Sequence, residues 1–410
     1  MKPGALAEWR SGWPLVLAAT MGVSLGSLQI YSTGVFIQPL GEEYGWTRAD
    51  VTSGMLIPSV LGVLFSPIFG IFIDRWGARR LAVPGAILCC SAFAMLSLTG
   101  PAIATWWAVW LLIGISALML KPTVWSTAVS SHFTIGRGLA LAVMLCGTGL
   151  ASASIPPLTY SLIEAFGWRG AYIGLGGIFA VLVIPILYFF FYDIRHESRD
   201  KQRSSPESFP GWTAREGFRT RQFYQLAMAA FLTTMMIVGF VVHLVPLLQE
   251  DGIERSRAVW IAGLTGLFSI AGRLSVGYLF DRYRGPPIGA MSVALPVPAA
   301  LLLIFFPGSL EAALVAVVFL GLAVGGEYDA VIYLSSRFFG MRAFGTLFGV
   351  VASALLGGVG LGPLIAGMIF DATGSYDNYL WMVLGTSAVA SLLLGTLGAY
   401  PAHAIHRKPA

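Results

Sequence analysis

The chain contains twelve apolar runs, each near or above the roughly 20 residues a helix needs to cross a hydrocarbon core. They cover about 13–38, 51–73, 81–99, 103–128, 138–164, 170–192, 222–249, 258–280, 288–306, 311–336, 343–370 and 377–400. A membrane barrel would instead show alternating segments of about ten residues, so helices are the spans that remain. The expectation is an all-α membrane protein with 12 transmembrane helices. Composition agrees. Of 410 residues, 56% are hydrophobic and 11% charged, whereas a soluble chain carries about 25% charge. There is too little charge here to cover water-facing domains, so lipid takes the place of water.

Other classes fall away on the same grounds. The net charge of +5 comes from basic residues lying between the runs, which does not describe a nucleic-acid surface. Cys89, Cys90 and Cys146 all lie inside runs, without a disulfide framework or metal-ligand spacing. No nucleophile–base set, nucleotide loop or metal cluster is visible, so neither an enzyme, a cofactor nor a metal is expected. The segment before Trp13 is short, the first run is long enough to span, and no small-residue cleavage site precedes Tyr31, so a removable signal is not expected.

The basic residues set a direction. Arg48, Arg169, Arg255 and Arg257 fall in one set of alternate loops, and Lys121 and Arg273 fall inside runs. The other nineteen of the 25 Lys and Arg lie at the termini or in the opposite loops. Basic loops stay cytoplasmic, so both termini are expected in the cytoplasm and the protein in the cell inner membrane. The longest polar stretch, 193–221, reads as a solvated linker between six-helix halves at 1–192 and 222–410. The halves repeat. Gly70-x-x-x-Asp74-Arg75 returns as Gly277-x-x-x-Asp281-Arg282, and Ser130-Ser131-His132-Phe133 as Ser335-Ser336-Arg337-Phe338. Two matches at nearly one offset, both at cytoplasmic helix ends, indicate a duplicated unit.

The loop Gly70-Ile-Phe-Ile-Asp74-Arg75-Trp-Gly77-Ala-Arg79-Arg80 lies between the second and third runs. There Asp74 can face the positive end of a neighbouring helix and glycine permits a tight turn. Topology-setting charge alone is the simpler account of it. The pattern resembles the signature loop of the major facilitator superfamily. Within that superfamily nearly the whole chain resembles the monocarboxylate-transporter and oxalate/formate-antiporter branch. The resemblance runs through Gly34-Val35-Phe36-Ile37-Gln38-Pro39-Leu40 with Tyr44-Gly45-Trp46-Thr47-Arg48, then Arg137-Gly138-Leu139-Ala140, Gly167-Trp168-Arg169, and Arg273 with Gly277. It implies the two-halves fold, and a role for Arg273 in holding a substrate carboxylate. The chain departs from the branch at Ser269, where animal members carry Asp, and at Tyr31, where they carry Lys. It also lacks the helix-eleven Lys of oxalate exchangers.

Charge deep in a span is expensive, so it faces a cavity or a partner. Lys121, Arg273 and Glu327 lie about 18, 15 and 16 residues into helices four, eight and ten. At roughly 1.5 Å per residue they share one layer about 22–27 Å deep. Arg273 offers a planar fork for a carboxylate, or else a structural ion pair with Glu327 or Asp329. Lys121, just before Pro122, is a second anion contact or a partner for Glu327. Glu327 and Asp329 are two apart, roughly 200° around a helix. The expectation is that Glu327 faces the centre, while Asp329 shares a face with Tyr333 as a hydrogen-bond acceptor. Burial favours the protonated form of a carboxyl and a nearby cation the ionised form, which suits proton coupling and structural pairing alike.

His243, three before Pro246, is either a polar residue at a kink or part of a gate or proton relay. Tyr31 and Gln29 are candidate hydrogen-bond donors to substrate, against ordinary packing. Gly70, Asp74, Arg75, Gly77, Arg79, Arg80, Asp281 and Arg282 are candidate gating residues. Trp106, Trp107 and Trp110, and the run from Phe189 to Tyr192, read as interfacial belts. The function expected is a monomeric secondary transporter. It would move a small monocarboxylate anion by alternating access, coupled to H+, with the lipid bilayer as its other partner. The alternatives are an oxalate/formate-type exchanger, an exporter of amphipathic compounds, or a membrane sensor on a transporter fold.

Overall fold

The computed structural model describes residues 3–192 and 211–401. Its helices are α1 (Pro3–Gly26), α2 (Leu28–Tyr44), α3 (Arg48–Ser53), α4 (Leu56–Trp76), α5 (Ala78–Met95), α6 (Ile103–Met119), α7 (Pro122–His132), α8 (Arg137–Leu145) and α9 (Gly147–Phe190). After the linker come α10 (Ala214–Gly217), α11 (Arg221–Glu250), α12 (Arg255–Arg282), α13 (Gly285–Ala294), α14 (Pro296–Phe305), α15 (Leu310–Phe339), α16 (Phe344–Thr373) and α17 (Asp377–Gly395).

Among the described residues, 11 helical stretches are long and apolar enough to cross a membrane. One of them, Arg137–Phe190, turns back at Gly167, whose φ of 68° and ψ of 173° lie where only glycine sits without strain. Counting that stretch as two spans gives the twelve expected. Several spans are built from two helices because the sequence interrupts them. Pro122 opens α7 within the fourth span and Pro296 opens α14 within the ninth, each at a first-turn position where its missing N–H is no loss. Caps set other starts. Thr47 and Asp50 form a reciprocal capping box on α3, and Ser309 caps α15.

An even number of crossings brings the start of α1 and the end of α17 to one end of the bundle. The opposite end is called distal below. In the earlier helices α1 packs on α9, α7 and α8, while α5 packs on α6 and α9. In the later ones α11 packs on α16 and α17, and α12 on α15. The two groups meet along a seam where α9 lies on α12, α2 on α11, and α3 and α4 on α16.

Two expectations change here. Trp106 and Trp110 do not form an outward belt but are 0% and 1% exposed, and the Trp106 Nε1–H donates to the Val51 carbonyl at 3.1 Å. They stand one turn apart on the face that α6 turns to its neighbours. Trp107, on the other side, is the exposed one, donating to Ser53 Oγ at 2.8 Å. Likewise Phe189 and Phe190 are exposed, but Phe191 is buried against Trp125. Of the expected linker, 193–210 lies outside the described residues. Its last part is docked, with Trp212 N donating to Phe339 O at 2.9 Å.

Candidate functional site

The site is built on backbone contact between α12 and α15. A side chain at Gly325 would overlap the Ser269 carbonyl, and one at Gly272 would overlap that of Leu322. Small residues let helix backbones approach closely in a membrane bundle. This approach carries Arg273 directly against α15. Its Nη1 donates to Asp329 Oδ1 at 2.7 Å, and the arginine is 8% exposed. Of the two carboxylates weighed from sequence, Asp329 is therefore the partner. Asp329 is a hydrogen-bond acceptor, its donor being Arg273, while the Tyr333 hydroxyl four residues on donates to the Phe280 carbonyl at 3.3 Å. Which face of α15 meets Arg273 follows from its packing on α12, which residue spacing alone does not specify.

Glu327 has a different environment. Its Oε2 is buried and has no hydrogen-bond partner. The carboxyl is close enough to Arg273, and to the Tyr31 hydroxyl of α2, to interact with both electrostatically. Cys146 stands in the same relation to Arg273 and Asp329. Groups from both sides of the seam thus converge: Tyr31 and Cys146 from the earlier helices, Arg273, Glu327 and Asp329 from the later ones. Tyr31 also lines a small void under the distal end, with Gly34, Ser152, Val242 and Thr265.

Gln29 is not part of this group. Two residues from Tyr31, it points to the other side of α2, into a void lined by Leu25, Cys89, Phe93, Ile113 and Ser116. Lys121 stands at the break between α6 and α7. Its Nζ donates to Ser66 Oγ and, at 3.3 Å, to the Gly62 carbonyl, both on α4. Among the described residues no carboxylate forms an ion pair with it, so the structure does not make it the partner of Glu327.

His243 is wholly buried. Its Nδ1 is 2.7 Å from the Tyr376 hydroxyl and its Nε2 is 2.8 Å from the Pro363 carbonyl. Tyr376 leads to a cluster that the sequence did not single out. Arg48 Nη1 donates to the Tyr376 oxygen at 2.6 Å, and Nη2 pairs with Glu250. The Arg48 guanidinium lies 3.3 Å over the Phe370 ring. The backbone N–H groups of Arg48 and Ala49 donate to Asp371 at 3.1 and 2.9 Å. Gln249 donates to Gln38 at 3.0 Å and Arg255 to the Val35 carbonyl at 3.1 Å. The bonds of Arg48, Ala49, Gln249 and Arg255 cross the seam, and all lie at the distal end. The sequence signals were His243 as a candidate gate residue, and Arg48 and Arg255 as two of the few basic residues on that side.

The candidate gating residues stand at the end of the termini. Gly70 and Asp74 are on α4, and the Asp74 side chain lies outside what the structure describes. Gly77, at φ 84°, makes the turn into α5. Arg75 and Arg80 are exposed, and Arg79 Nη2 donates to the Tyr188 carbonyl at 2.6 Å. Asp281 and Arg282 end α12, with Arg282 4.4 Å over the Tyr278 ring.

A sequence model described as Major Facilitator Superfamily matches residues 17–355. Human monocarboxylate transporter 2 is 23% identical, over 97% of this chain and 88% of its own length. Human monocarboxylate transporter 11 is 27% identical, over 92% and 81%. The 4-hydroxybenzoate transporter PcaK of Pseudomonas putida is 25% identical, over 86% and 87%. Among solved structures, a D-xylose–proton symporter superposes with a TM-score of 0.74 at 14% identity, covering 95% of this chain and 98% of the other. That last likeness is one of fold.

Proposed function

The chain belongs to the major facilitator superfamily, and we propose that it carries a small monocarboxylate across the cell inner membrane by alternating access, coupled to protons. The moving units would be the six-helix groups at 1–192 and 222–410, joined by 193–221, with both termini cytoplasmic. Membrane transport, rather than an enzymatic reaction, is what the family itself implies.

The observation that carries the reading is the engagement of Arg273. Asp329 takes only Nη1 of the guanidinium, which leaves the rest of its planar fork for a substrate carboxylate. The position is buried at the seam, where a substrate would touch both units. Lys121, with neutral oxygens as its partners, would add positive potential to the same layer. The relatives named for monocarboxylates and for 4-hydroxybenzoate support an organic anion. Glu327 is the carboxyl proposed to carry the proton, because its buried oxygen has no donor to support a negative charge.

Purified protein in liposomes tests this. Lactate, pyruvate and benzoate should each be scored for counterflow and for accumulation driven by an inside-alkaline pH gradient. The expected result is both activities for at least one of them, with Glu327→Gln keeping counterflow and losing accumulation. Exchange that ignores the pH gradient in the parent protein would favour an oxalate/formate-type exchanger. No counterflow of any carboxylate would sink the anion reading.

A further inference from the structure

We propose that His243 is the positioning residue of a latch that holds the distal end shut, acting through Tyr376 on Arg48. The latch has one side in each group of helices. Arg48 opens α3, and every side chain it grips comes from across the seam: Glu250 at the end of α11, Phe370 and Asp371 at the end of α16, and Tyr376 just before α17. Gly34 of α2 touches α11 about two turns deeper than Glu250, where a side chain would overlap the Val242 carbonyl. Opening the distal end therefore requires Arg48 to leave all of these partners together.

The Tyr376 oxygen is the shared atom, 2.6 Å from Arg48 Nη1 and 2.7 Å from His243 Nδ1. The ends of the chain set the direction of every bond in it. A backbone carbonyl only accepts, so His243 Nε2 carries a hydrogen and donates to Pro363. A guanidinium only donates, so the tyrosine oxygen accepts from Arg48. Neutral His243 then has Nδ1 free to accept the tyrosine hydrogen. One tautomer satisfies all four groups. It also holds the tyrosine lone pair towards Arg48, since the hydroxyl hydrogen is engaged on the far side. A neutral relay of this polarity positions the latch; it needs no proton to move. His243 further ties α11 to α16 at Pro363, so both helices and Tyr376 would follow the latch as one body.

The test reads the gate itself. A Val35→Cys reporter, in a background with Cys89, Cys90 and Cys146 replaced by alanine, sits beneath the latch. A membrane-impermeant maleimide is applied from the distal side. Losing a hydrogen bond to a charged group shifts an equilibrium by about tenfold or more. Tyr376→Phe, which removes one oxygen and keeps the ring, should therefore raise the labelling rate by about that factor. His243→Leu should do the same, and the two together no more than either alone. His243→Gln can donate an amide hydrogen to Pro363 and accept from Tyr376, so it should restore slow labelling. Unchanged labelling in Tyr376→Phe overturns the latch. If only His243→Gln fails to differ from His243→Leu, the positioning role is overturned. Labelling needs no substrate, so the result stands apart from the identity of the transported anion.

Discussion

Arg273 of α12 and Asp329 of α15 are joined at 2.7 Å in a part of the bundle where the arginine is 8% exposed. A pair this buried stabilises little relative to an apolar pair, yet removing one member alone costs about 3–5 kcal/mol, because the other charge stays buried. The pair also explains how a permanent cation is tolerated in the layer before any substrate arrives.

The first prediction separates scaffold from substrate contact. Asp329→Asn alone should lower the thermal stability of the purified protein. Arg273→Gln with Asp329→Asn should recover most of it and still bind carboxylate poorly. Arg273→Lys keeps the charge but not the fork, and a lost charge-assisted bond of about 1.5–3 kcal/mol corresponds to roughly 10- to 150-fold in affinity. Near-normal affinity in the folded double mutant would leave Arg273 as scaffolding only.

A second prediction concerns Gly34. The Val242 carbonyl occupies the space a side chain would need, and the contact exists only while α2 and α11 are closed together. Gly34→Val should therefore hold the distal end open. Spin labels at Glu42 and Glu254 should report a longer mean distance than in the parent protein. An unchanged distance distribution in folded Gly34→Val would contradict this account of the closed end.

Asp251 gives a prediction about pH. It lies in the loop between α11 and α12, outside the membrane spans, where burial pushes its carboxyl up to about 6, with Asp377 and Glu250 adding like charge. A carboxyl raised above its unfolded value binds its proton more tightly in the folded state. Its contribution is therefore full below the unfolded value and lost as pH rises through about 6. Asp251→Asn should raise the melting temperature at pH 7.5 and flatten the part of the pH profile between about 4 and 6. A melting temperature that falls in Asp251→Asn at pH 7.5 would show that the ionised carboxylate is the stabilising form.

The sequence alone was enough for the helices. Length of apolar run is a local property, because a backbone in lipid must satisfy its hydrogen bonds within its own segment. Counting residues at a fixed rise per residue puts Arg273 and Glu327 at similar distances along their helices, and the two lie within electrostatic reach of each other. Direction around the helix axis is another matter. Whether Arg273 meets Asp329 or Glu327 depends on how closely α12 and α15 approach, which Gly272 and Gly325 decide from opposite helices. Tyr31 reaches the central group while Gln29, two residues away, does not, because only one face of α2 borders the seam. Trp106 and Trp110 turned inward for the same reason. The distal cluster was the least legible, since Arg48 opens α3, His243 and Glu250 lie about two turns apart on α11 and Tyr376 precedes α17, and neither Glu250 nor Tyr376 carries a signal of its own in the sequence. Only packing brings them within hydrogen-bond reach, and hydrogen bonds act over about 3 Å, a scale that no pattern along one strand of chain resolves.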